Sequence, residues 1–373
     1  RKPSEKNMIP IVNLKRQYQE HKVEIDTAIS NVLNSANFIK GEDVYKFEAN
    51  FARMNNSKHC LAVANGTDSL FIIMKSLGIG PGDDVITVSN TWISSSETIS
   101  LTGAKPVFVD SDEFFTIDVS KIKKNITNKT KAIIAVHLYG QVCELNSLKE
   151  ICDSNNIYLI EDCAQAHFAE YKDDFVGNFG VAGSFSFFPG KNLGAYGDSG
   201  GIVTNDSELY LKMKMFANHG SIERHNHIIE GMNSRLDTIQ AAVLNVKLKY
   251  IIAWTEKRRE NAKLYSELLI SVDGIELPSV RALSKHSFHL YVIKVKNRNK
   301  LIDYLDNNSI ASSIHYPVIL PDQACYKSLI KNKLDFEQSR SDSKKILTLP
   351  MCSDLKKDEI VYITNVIKQF YES

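Results

Sequence analysis

The chain has 373 residues, 43% of them hydrophobic, which is enough for a large domain with a buried core and a smaller domain beside it. Its 45 basic and 44 acidic side chains nearly balance, and no basic run alternates with aromatic residues, so a nucleic-acid partner is not expected. The six cysteines are scattered and form no CxxC pair, which argues against a zinc site and a disulfide framework and favours the cytoplasm. No apolar stretch reaches membrane-spanning length, so a membrane anchor is not expected.

Short apolar runs alternate with helical patterns from about residue 60 to residue 205. The runs are rich in β-branched residues and almost continuously apolar, which is typical of strands buried on both faces. They are HCLAVAN, DDVITVS, KPVFVD, KAIIAVHLYG, NIYLIED, GSFSFF and GGIVTN. This alternation predicts an α/β fold with a mainly parallel central sheet covered by helices.

The pattern changes after residue 235. The stretch LDTIQAAVLNVKLKYIIAWTEKRRENAKLYSELL predicts a long helical region, continuous or interrupted. Beyond it, FHLYVIKVK, LIDYLDNNSI, ASSIHYPVI and KDEIVYITNVIKQFYE predict a small α+β domain. We predict a large domain over residues 1–255, including the N-terminal segment, and a small C-terminal domain over residues 256–373.

Ligands of open α/β sheets bind beyond the carboxyl ends of the strands, and three such ends carry reactive or polar residues. The first is VANGTDSL, where Gly66 and Thr67 place backbone N–H groups and a hydroxyl at the start of a helix. Such a helix N-terminus favours an anion. An ordinary helix cap at Thr67 or Asp68 explains the same residues equally well.

The second end is IYLIEDCAQAH, in which Asp162 closes a very apolar strand. A buried carboxylate is costly unless it meets a positive partner, and the protonated ring nitrogen of a cofactor is one such partner. Gln165 lies where it can bond a phenolic oxygen of the same ligand. The alternative for Asp162 is a helix cap at the turn after the strand.

The third end is SFSFFPGKNLGAYGDSGG, where Pro and Gly stop a strand just before Lys191. A lysine in a water-poor pocket can lose its proton and attack a carbonyl carbon, whereas a solvated lysine has no such role. An anion site, a carboxylate for a pyridinium and an amine for an aldehyde together describe pyridoxal 5′-phosphate (PLP).

These segments resemble the DegT/DnrJ/EryC1/StrS family of PLP-dependent nucleotide-sugar aminotransferases, which has the type I (aspartate aminotransferase-like) fold with helices on both faces of the sheet. The resemblance runs almost end to end. It is carried by IPIVNLKRQY, FIKGEDVYKFEANFA, NGTDSL, GAKPVFVD, VHLYGQ, LIEDCAQAH, FSFFPGKNLGAYGDSGG, GMNSRLDTIQAAVLNVKL, HLYVIKVKNR and HYPV.

The resemblance implies roles for the residues that contact the cofactor ring. Lys191 would hold PLP covalently and then move the proton between the cofactor carbon and the substrate carbon. Asp162 would keep the pyridine nitrogen protonated, and Gln165 would bond the phenolic oxygen. Trp92 in SNTWISS matches an aromatic residue that covers the cofactor face, with a core tryptophan as the alternative.

The resemblance also implies a phosphate site and a shared active site. Gly66, Thr67 and Ser186 would bind the phosphate. Asn233 of GMNSR matches an asparagine that reaches the phosphate of the neighbouring subunit, which would make a homodimer obligatory.

On the substrate side, His315 and Tyr316 in HYPV match family residues near the sugar nucleotide, with a buried structural histidine as the alternative for His315. His225 stands near the sugar end where a tyrosine is common. Asp322 stands where a histidine is usual, and Ser199 where Gly or Ala is usual. These differences bear on which sugar epimer binds.

KNLGAYGD with NSRLD resembles the branch of the family that acts on dTDP-linked 3-keto-6-deoxyhexoses. The expected reaction uses L-glutamate and gives a dTDP-3-amino-3,6-dideoxyhexose for polysaccharide or natural-product biosynthesis. Three alternatives remain: a 4-aminotransferase, a dehydrating relative that has His in place of the lysine and an iron–sulfur cluster, and a PLP-binding regulatory protein. Lys191 and the scattered cysteines argue against the dehydrating relative.

Overall fold

The computed structural model describes residues 8–223, 225–329 and 333–372. Its helices are α1 (Leu14–Glu20), α2 (Lys22–Ser35), α3 (Glu42–Met54), α4 (Gly66–Ser76), α5 (Ser94–Thr102), α6 (Leu145–Asn155), α7 (Ser207–Phe216), α8 (Thr238–Leu248), α9 (Ile251–Leu269), α10 (Arg298–Asn307), α11 (Glu337–Lys345) and α12 (Lys357–Glu372).

The strands pair into one large sheet and three small ones. They are β1 (His59–Val63), β2 (Asp84–Val88), β3 (Lys105–Val109), β4 (Thr130–Val136), β5 (Tyr158–Asp162), β6 (Glu170–Tyr171), β7 (Asp174–Phe175), β8 (Ala182–Ser186), β9 (Gly200–Thr204), β10 (Ser221–Glu223), β11 (Asn226–His227), β12 (Ile275–Glu276), β13 (Ser284–Lys285), β14 (Tyr291–Val295) and β15 (Ile346–Leu349).

The large sheet has seven strands in the order β1-β9-β8-β5-β4-β2-β3. The neighbours from β3 to β8 are all parallel, and only β9 runs antiparallel to the strands on its two sides. This confirms the predicted mainly parallel central sheet. The parallel strands therefore end at one edge, where Val136 of β4 pairs with Asp162 of β5 and Asp162 pairs with Ser184 of β8.

The central strands are buried because both of their faces are covered. Ile133 and Ile134, neighbours on β4, point to opposite faces and both are fully buried. They belong to the larger of the hydrophobic clusters, which joins the sheet to residues of helices α3 to α8. Nearly continuous apolar runs are thus explained by burial on two sides rather than one.

The predicted long helical region is interrupted. It forms α8 and α9, with Lys249 and Tyr250 between them. Ile251 at the start of α9 belongs to the larger cluster, whereas Tyr265 and Leu269 belong to a second cluster. The predicted domain boundary at residue 255 therefore lies inside α9, and it stays a prediction.

The second cluster lies under the sheet β12-β14-β15 and helices α9, α10 and α12. The N-terminal segment contributes to this region, because Ile9 pairs with Ile310 and packs against the cluster. The segment ASSIHYPVI forms no strand; Ser313 makes only an isolated bridge to Thr348. In the part of the chain that the structure describes, no helix is both long and apolar enough to cross a bilayer.

Candidate active site

Two of the predicted phosphate-binding residues meet at the carboxyl edge of the sheet. Gly66 begins α4 directly after β1, and Ser186 ends β8. A Cβ atom on Gly66 would lie 2.8 Å from Cβ of Ser186, so only glycine lets the helix start this close to the strand. Gly66 is therefore required by packing at this point.

The first turn of α4 has donors available for an anion. The helix cap is Asn65, whose side chain accepts a hydrogen bond from the backbone N–H of Asp68 at 2.7 Å. Thr67 and Asp68 are therefore not the cap, contrary to the alternative drawn from the sequence. The N–H groups of Gly66 and Thr67 have no acceptor within their own helix, and the hydroxyl of Thr67 lies 2.8 Å from that of Ser94.

Asp162 is a buried carboxylate at the centre of this edge. Its Oδ2 accepts a hydrogen bond from Ser95 Oγ at 2.8 Å, and its Oδ1 accepts one from the backbone N–H of Ala164 at 3.1 Å. Burial raises the pKa of Asp162, and these two hydrogen bonds act against that increase. A cation placed against the free side of the carboxylate would stabilise its ionised form.

Lys191 lies in the loop that follows β8, near enough to Asp162 for the two charges to interact. Its backbone N–H donates to the carbonyl of Phe188 at 2.8 Å, which closes a tight turn around Pro189 and Gly190. Loss of hydration lowers the pKa of the Lys191 amine to about 8, although the charge of Asp162 acts in the opposite direction. A sizeable fraction of the amine is therefore neutral, and so nucleophilic, slightly above neutral pH.

Gln165 connects the two sides of the cleft. Its Oε1 accepts a hydrogen bond from the backbone N–H of Tyr139 at 2.7 Å, and its Nε2 donates to the hydroxyl of Tyr316 at 3.1 Å. The ring of Tyr316 lies 5.8 Å, centroid to centroid, from that of Trp92. Trp92 is 57% exposed, which excludes the interpretation as a core tryptophan.

His315 is fixed from two sides. Its Nδ1 lies 2.8 Å from Oγ1 of Thr348, and its carbonyl accepts a hydrogen bond from the hydroxyl of Tyr139. Burial, and to a smaller extent the nearby Lys191, lowers the pKa of His315 to about 4. The imidazole is therefore neutral at physiological pH.

The structure does not bring Asn233 and His225 into this cluster. Asn233 is exposed and forms an isolated bridge with Asn218. His225 is exposed in the turn between β10 and β11, with a φ of 65°. Within the described ranges, neither residue makes a hydrogen bond, ion pair or ring contact with Lys191, Asp162 or Gln165.

Two contributors to the site were not anticipated from the sequence. Ser95 is the side-chain donor to Asp162, and Tyr139 contacts both Gln165 and His315. Each follows a strand of the same sheet, after β2 and β4 respectively, so their place beyond strand ends was an available signal. Ser and Tyr are too common in such turns for that signal to stand out.

A buried cluster of His137, Glu161 and Cys163 lies next to Asp162, with its possible ligand atoms within 4.8 Å of one another. Glu161 already accepts hydrogen bonds from His137 Nε2 at 3.0 Å and from three backbone N–H groups at 2.7 to 2.8 Å. His137 Nδ1 accepts from the N–H of Cys143 at 3.1 Å, so Nε2 carries the ring proton. Hydrogen bonding within the chain thus accounts for this cluster.

Two differences from the family pattern have local explanations. Asp322 forms a two-point ion pair with Arg340, with N–O distances of 2.8 and 2.7 Å. Ser199 is buried and donates its hydroxyl to the carbonyl of Asp198 at 2.6 Å. Each side chain therefore satisfies its polar atoms within its own neighbourhood.

The chain is similar to known proteins along nearly its whole length. A family model described as the DegT/DnrJ/EryC1/StrS aminotransferase family matches residues 19–368. A protein of Geobacillus stearothermophilus named "pleiotropic regulatory protein" is 40% identical over 366 residues, covering 97% of this chain and 98% of that protein. A dTDP-3-amino-3,6-dideoxy-alpha-D-galactopyranose transaminase of Aneurinibacillus thermoaerophilus is 40% identical over 364 residues, covering 97% and 99%.

Other relatives are named for different sugar nucleotides, such as the UDP-N-acetyl-3-dehydro-alpha-D-glucosamine 3-aminotransferase of Acidithiobacillus ferrooxidans, 37% identical over 362 residues and covering 97% of both chains. The crystal structure of DesV from S. venezuelae, in complex with a ketimine intermediate, superimposes with a TM-score of 0.96 at 35% identity, covering 98% of this chain and 99% of that one. The fold is therefore that of a sugar aminotransferase structure, as expected. The chain belongs to the DegT/DnrJ/EryC1/StrS aminotransferase family, and it is an aminotransferase.

Proposed function

We propose that the protein binds PLP and transfers the amino group of L-glutamate to a dTDP-linked 3-keto-6-deoxyhexose. The products are a dTDP-3-amino-3,6-dideoxyhexose and 2-oxoglutarate. The observation that carries the proposal is the buried carboxylate of Asp162 at the carboxyl edge of the sheet, with the Lys191 amine near enough for the two charges to interact.

The residues at the carboxyl edge fit PLP. Burial disfavours the charge on Asp162, so a protonated pyridine nitrogen would supply the cation that this carboxylate needs. The first turn of α4 offers the N–H groups of Gly66 and Thr67 for a phosphate, with Ser186 beside them. The exposed ring of Trp92 is available to cover a planar ligand.

Bound PLP would supply an electron sink for the negative charge that develops on the substrate carbon. Lys191 then acts as the base that removes a proton from the donor carbon and as the acid that delivers one to the sugar carbon. Asp162 holds the proton on the ring nitrogen. Gln165 orients the bound PLP and is itself held by hydrogen bonds with the backbone N–H of Tyr139 and the hydroxyl of Tyr316.

Neutral His315 and Tyr316 are proposed to contact the sugar nucleotide. A neutral imidazole can donate to or accept from a sugar hydroxyl without placing a fixed charge against it. The choice of a dTDP-linked 3-keto sugar is supported by the KNLGAYGD and NSRLD motifs and by the name of the Aneurinibacillus relative. Because one relative is named for a UDP-linked sugar, the test compares dTDP-linked with UDP-linked substrates.

We also propose a homodimer in which Asn233 completes the phosphate site of the partner subunit. Asn233 is exposed in the single chain, and the nearby Ile228 and Ile229 are 59% and 42% exposed. Neighbouring exposed apolar side chains are typical of a surface that another protein covers. Exposed His225, close by in the sequence, is proposed to act at the sugar end of such a shared site.

A UDP-linked 3-keto sugar is the second candidate substrate, because one relative at 37% identity is named for such a sugar nucleotide. Purified protein with PLP and L-glutamate should be offered dTDP-linked 3-keto, dTDP-linked 4-keto and UDP-linked 3-keto sugars in parallel. The proposal predicts 2-oxoglutarate and an amino sugar, identified by mass spectrometry, at the highest rate with the first. Faster turnover of the second would establish the 4-aminotransferase, faster turnover of the third would establish a UDP-linked substrate, and no turnover with any of the three would contradict the proposed substrate class.

A further inference from the structure

Lys247 is a lysine buried in the interior of the large domain. It lies on α8, its side chain is 1% exposed, and Nζ donates to the carbonyl of Gly194 at 2.7 Å. Among the described residues it forms no ion pair. The ring of Tyr196, with its centroid 4.3 Å from Nζ, is the other contact of the amine.

A buried amine without a carboxylate is expensive. Loss of hydration lowers the pKa of Lys247 to about 7, and an apolar side chain of similar length would avoid that cost. An apolar side chain would, however, leave the buried carbonyl of Gly194 without a donor, since no other hydrogen bond to that oxygen occurs within the described ranges. Among the described residues, the bond to this carbonyl is the one hydrogen bond that the Lys247 amine makes.

Gly194 belongs to the loop that carries Lys191. Residues 187–199 run from the end of β8 to β9 without a helix or strand. Gly194 packs so tightly that a Cβ atom there would lie 2.3 Å from the carbonyl oxygen of Pro189, two residues before Lys191. Displacement of Gly194 would therefore move the turn in which Lys191 sits.

Helix α8 contacts the same loop a second time, because Gln240 Oε1 accepts a hydrogen bond from the backbone N–H of Tyr196 at 2.8 Å. On its other side the loop is tied by Asn192, whose Nδ2 donates to the carbonyl of Ser287 at 3.1 Å. Within the loop, the backbone N–H of Ala195 donates to the carbonyl of Phe187 at 2.8 Å, and side chains supply the hydrogen bonds to α8 and to Ser287. Of the three side chains that bond the loop in this way, Lys247 is the one with a buried amine.

We propose that Lys247 is a positioning residue for Lys191: its hydrogen bond to Gly194 holds the loop so that the Lys191 amine stays near Asp162. The inference deepens the proposed function, since it concerns the amine assigned there to PLP. It does not require the cofactor to be present for its test. A positioning role predicts that removal of the Lys247 donor changes the pH at which the Lys191 amine titrates.

The test measures the titration of Lys191 in the apoprotein. Acetic anhydride labels neutral amines, and mass spectrometry of the peptide that contains Lys191 gives the labelled fraction at each pH. The titratable and charged groups that interact with Lys191 are Asp162, His167, His289 and His315. Burial lowers the pKa of all three histidines, to about 3 for His167 and about 4 for His315, so none of them titrates near the midpoint of Lys191.

Lys247→Met removes the donor but keeps the length of the side chain, and Lys247→Gln keeps a donor. We expect the labelling midpoint of Lys191 to lie near 8 in the unmodified protein and to rise by about one pH unit in the Met variant as water reaches the amine. In the Gln variant, the labelling midpoint of Lys191 should lie close to that of the unmodified protein. Lys249→Met, at an exposed lysine paired with Glu24, is the matched control and should not move the midpoint.

An unchanged midpoint in a folded Met variant would overturn the proposal, and so would a lower thermal midpoint without a change in labelling, which is what a purely structural role predicts. Should the Met variant not fold, hydrogen exchange of residues 187–199 in Lys247→Ala replaces it, and at least tenfold faster exchange than in Lys249→Ala is expected. Equal exchange in the two Ala variants would also overturn the proposal. Because these experiments use apoprotein, their failure is distinguishable from failure of the sugar assay.

Discussion

Ser95 donates its hydroxyl proton to Oδ2 of Asp162 over 2.8 Å, joining the first turn of α5 to the last residue of β5. The two residues are 67 positions apart in the sequence. Because the hydroxyl bonds the ionised carboxylate, it keeps the pKa of Asp162 lower than burial alone would set it.

Ser95→Ala is expected to weaken PLP binding. A hydrogen bond to a charged group contributes about 1.5–3 kcal/mol, so the dissociation constant of PLP should rise by about tenfold or more. Fluorescence titration of the apoprotein with PLP measures this. Ser96→Ala is the control, because Ser96 bonds Tyr326 and the carbonyl of Ile93 rather than Asp162; equal losses in the two variants would contradict the role of Ser95.

Asp162→Asn is expected to stabilise the apoprotein while it removes activity. The pKa of Asp162 is higher in the folded chain than in the unfolded chain, so between the two values the folded chain binds more protons. The free energy of unfolding therefore falls as pH rises from about 4 through the folded-state pKa of Asp162. Thermal denaturation of both apoproteins should be measured at several pH values. The thermal midpoint of the Asn variant should equal that of the unmodified protein at the lowest pH and exceed it by a growing margin as the pH rises. An advantage that stays constant with pH would argue against this origin.

Lys191→Ala and Lys191→Arg should each reduce transamination by at least about a thousandfold, because neither side chain can act as the nucleophile and proton carrier. The Arg variant keeps a positive charge near Asp162, so it distinguishes loss of the charge from loss of the nucleophilic amine. Release of 2-oxoglutarate from L-glutamate is the measurement. A near-normal rate in either variant would remove Lys191 from the mechanism.

Tyr316→Phe removes the hydroxyl that accepts from Gln165 and keeps the ring beside Trp92. Tyr316 is proposed to bond the sugar nucleotide, and the loss of one neutral hydrogen bond, about 0.5–1.5 kcal/mol, should raise the KM for this substrate about three- to tenfold. The backbone N–H of Tyr139 still holds Gln165 in the variant. The half-reaction with L-glutamate should change little. Steady-state kinetics with each substrate varied in turn would show this split, and an equal effect on both substrates would place Tyr316 outside the sugar site.

The shared site predicts complementation between two defective subunits. Asn233→Asp places a negative charge against the partner's phosphate, whereas Lys191→Ala removes the amine. Refolding the two variants together at equal amounts should restore about a quarter of normal activity, because half of the dimers then contain one intact site. Activity no higher than the sum of the two separate variants would contradict a shared site.

Sequence reasoning placed Lys191, Asp162 and Gly66 together because all three lie next to the carboxyl ends of strands in one mainly parallel sheet. Such a sheet gathers strand ends at one edge whatever lies between them in sequence. The position of Ser95 opposite Asp162 depended instead on how α5 packs across the edge. No local pattern in the sequence encodes that geometry.

Other misses came from competing local choices and from short strands. Asn, Thr and Asp are all good helix caps, and the structure selects Asn65 where the sequence left Thr67 or Asp68 open. The two-residue strands β6, β7 and β13 were not predicted from the sequence. Strand β13 pairs with β6, which lies more than a hundred residues away in the chain. Pairs this short carry no periodicity that a sequence could reveal.

Lys191 is proposed to hold PLP, which would take the amino group from L-glutamate as Lys191 is released and moves the proton. Absorption spectra of the protein reconstituted with PLP, recorded before and after L-glutamate, test it most directly. We predict a visible band that forms with the unmodified protein, that is missing in Lys191→Ala, and that disappears on addition of L-glutamate as 2-oxoglutarate is released. The absence of any band with added PLP, or the same band in Lys191→Ala, would contradict the assignment of Lys191.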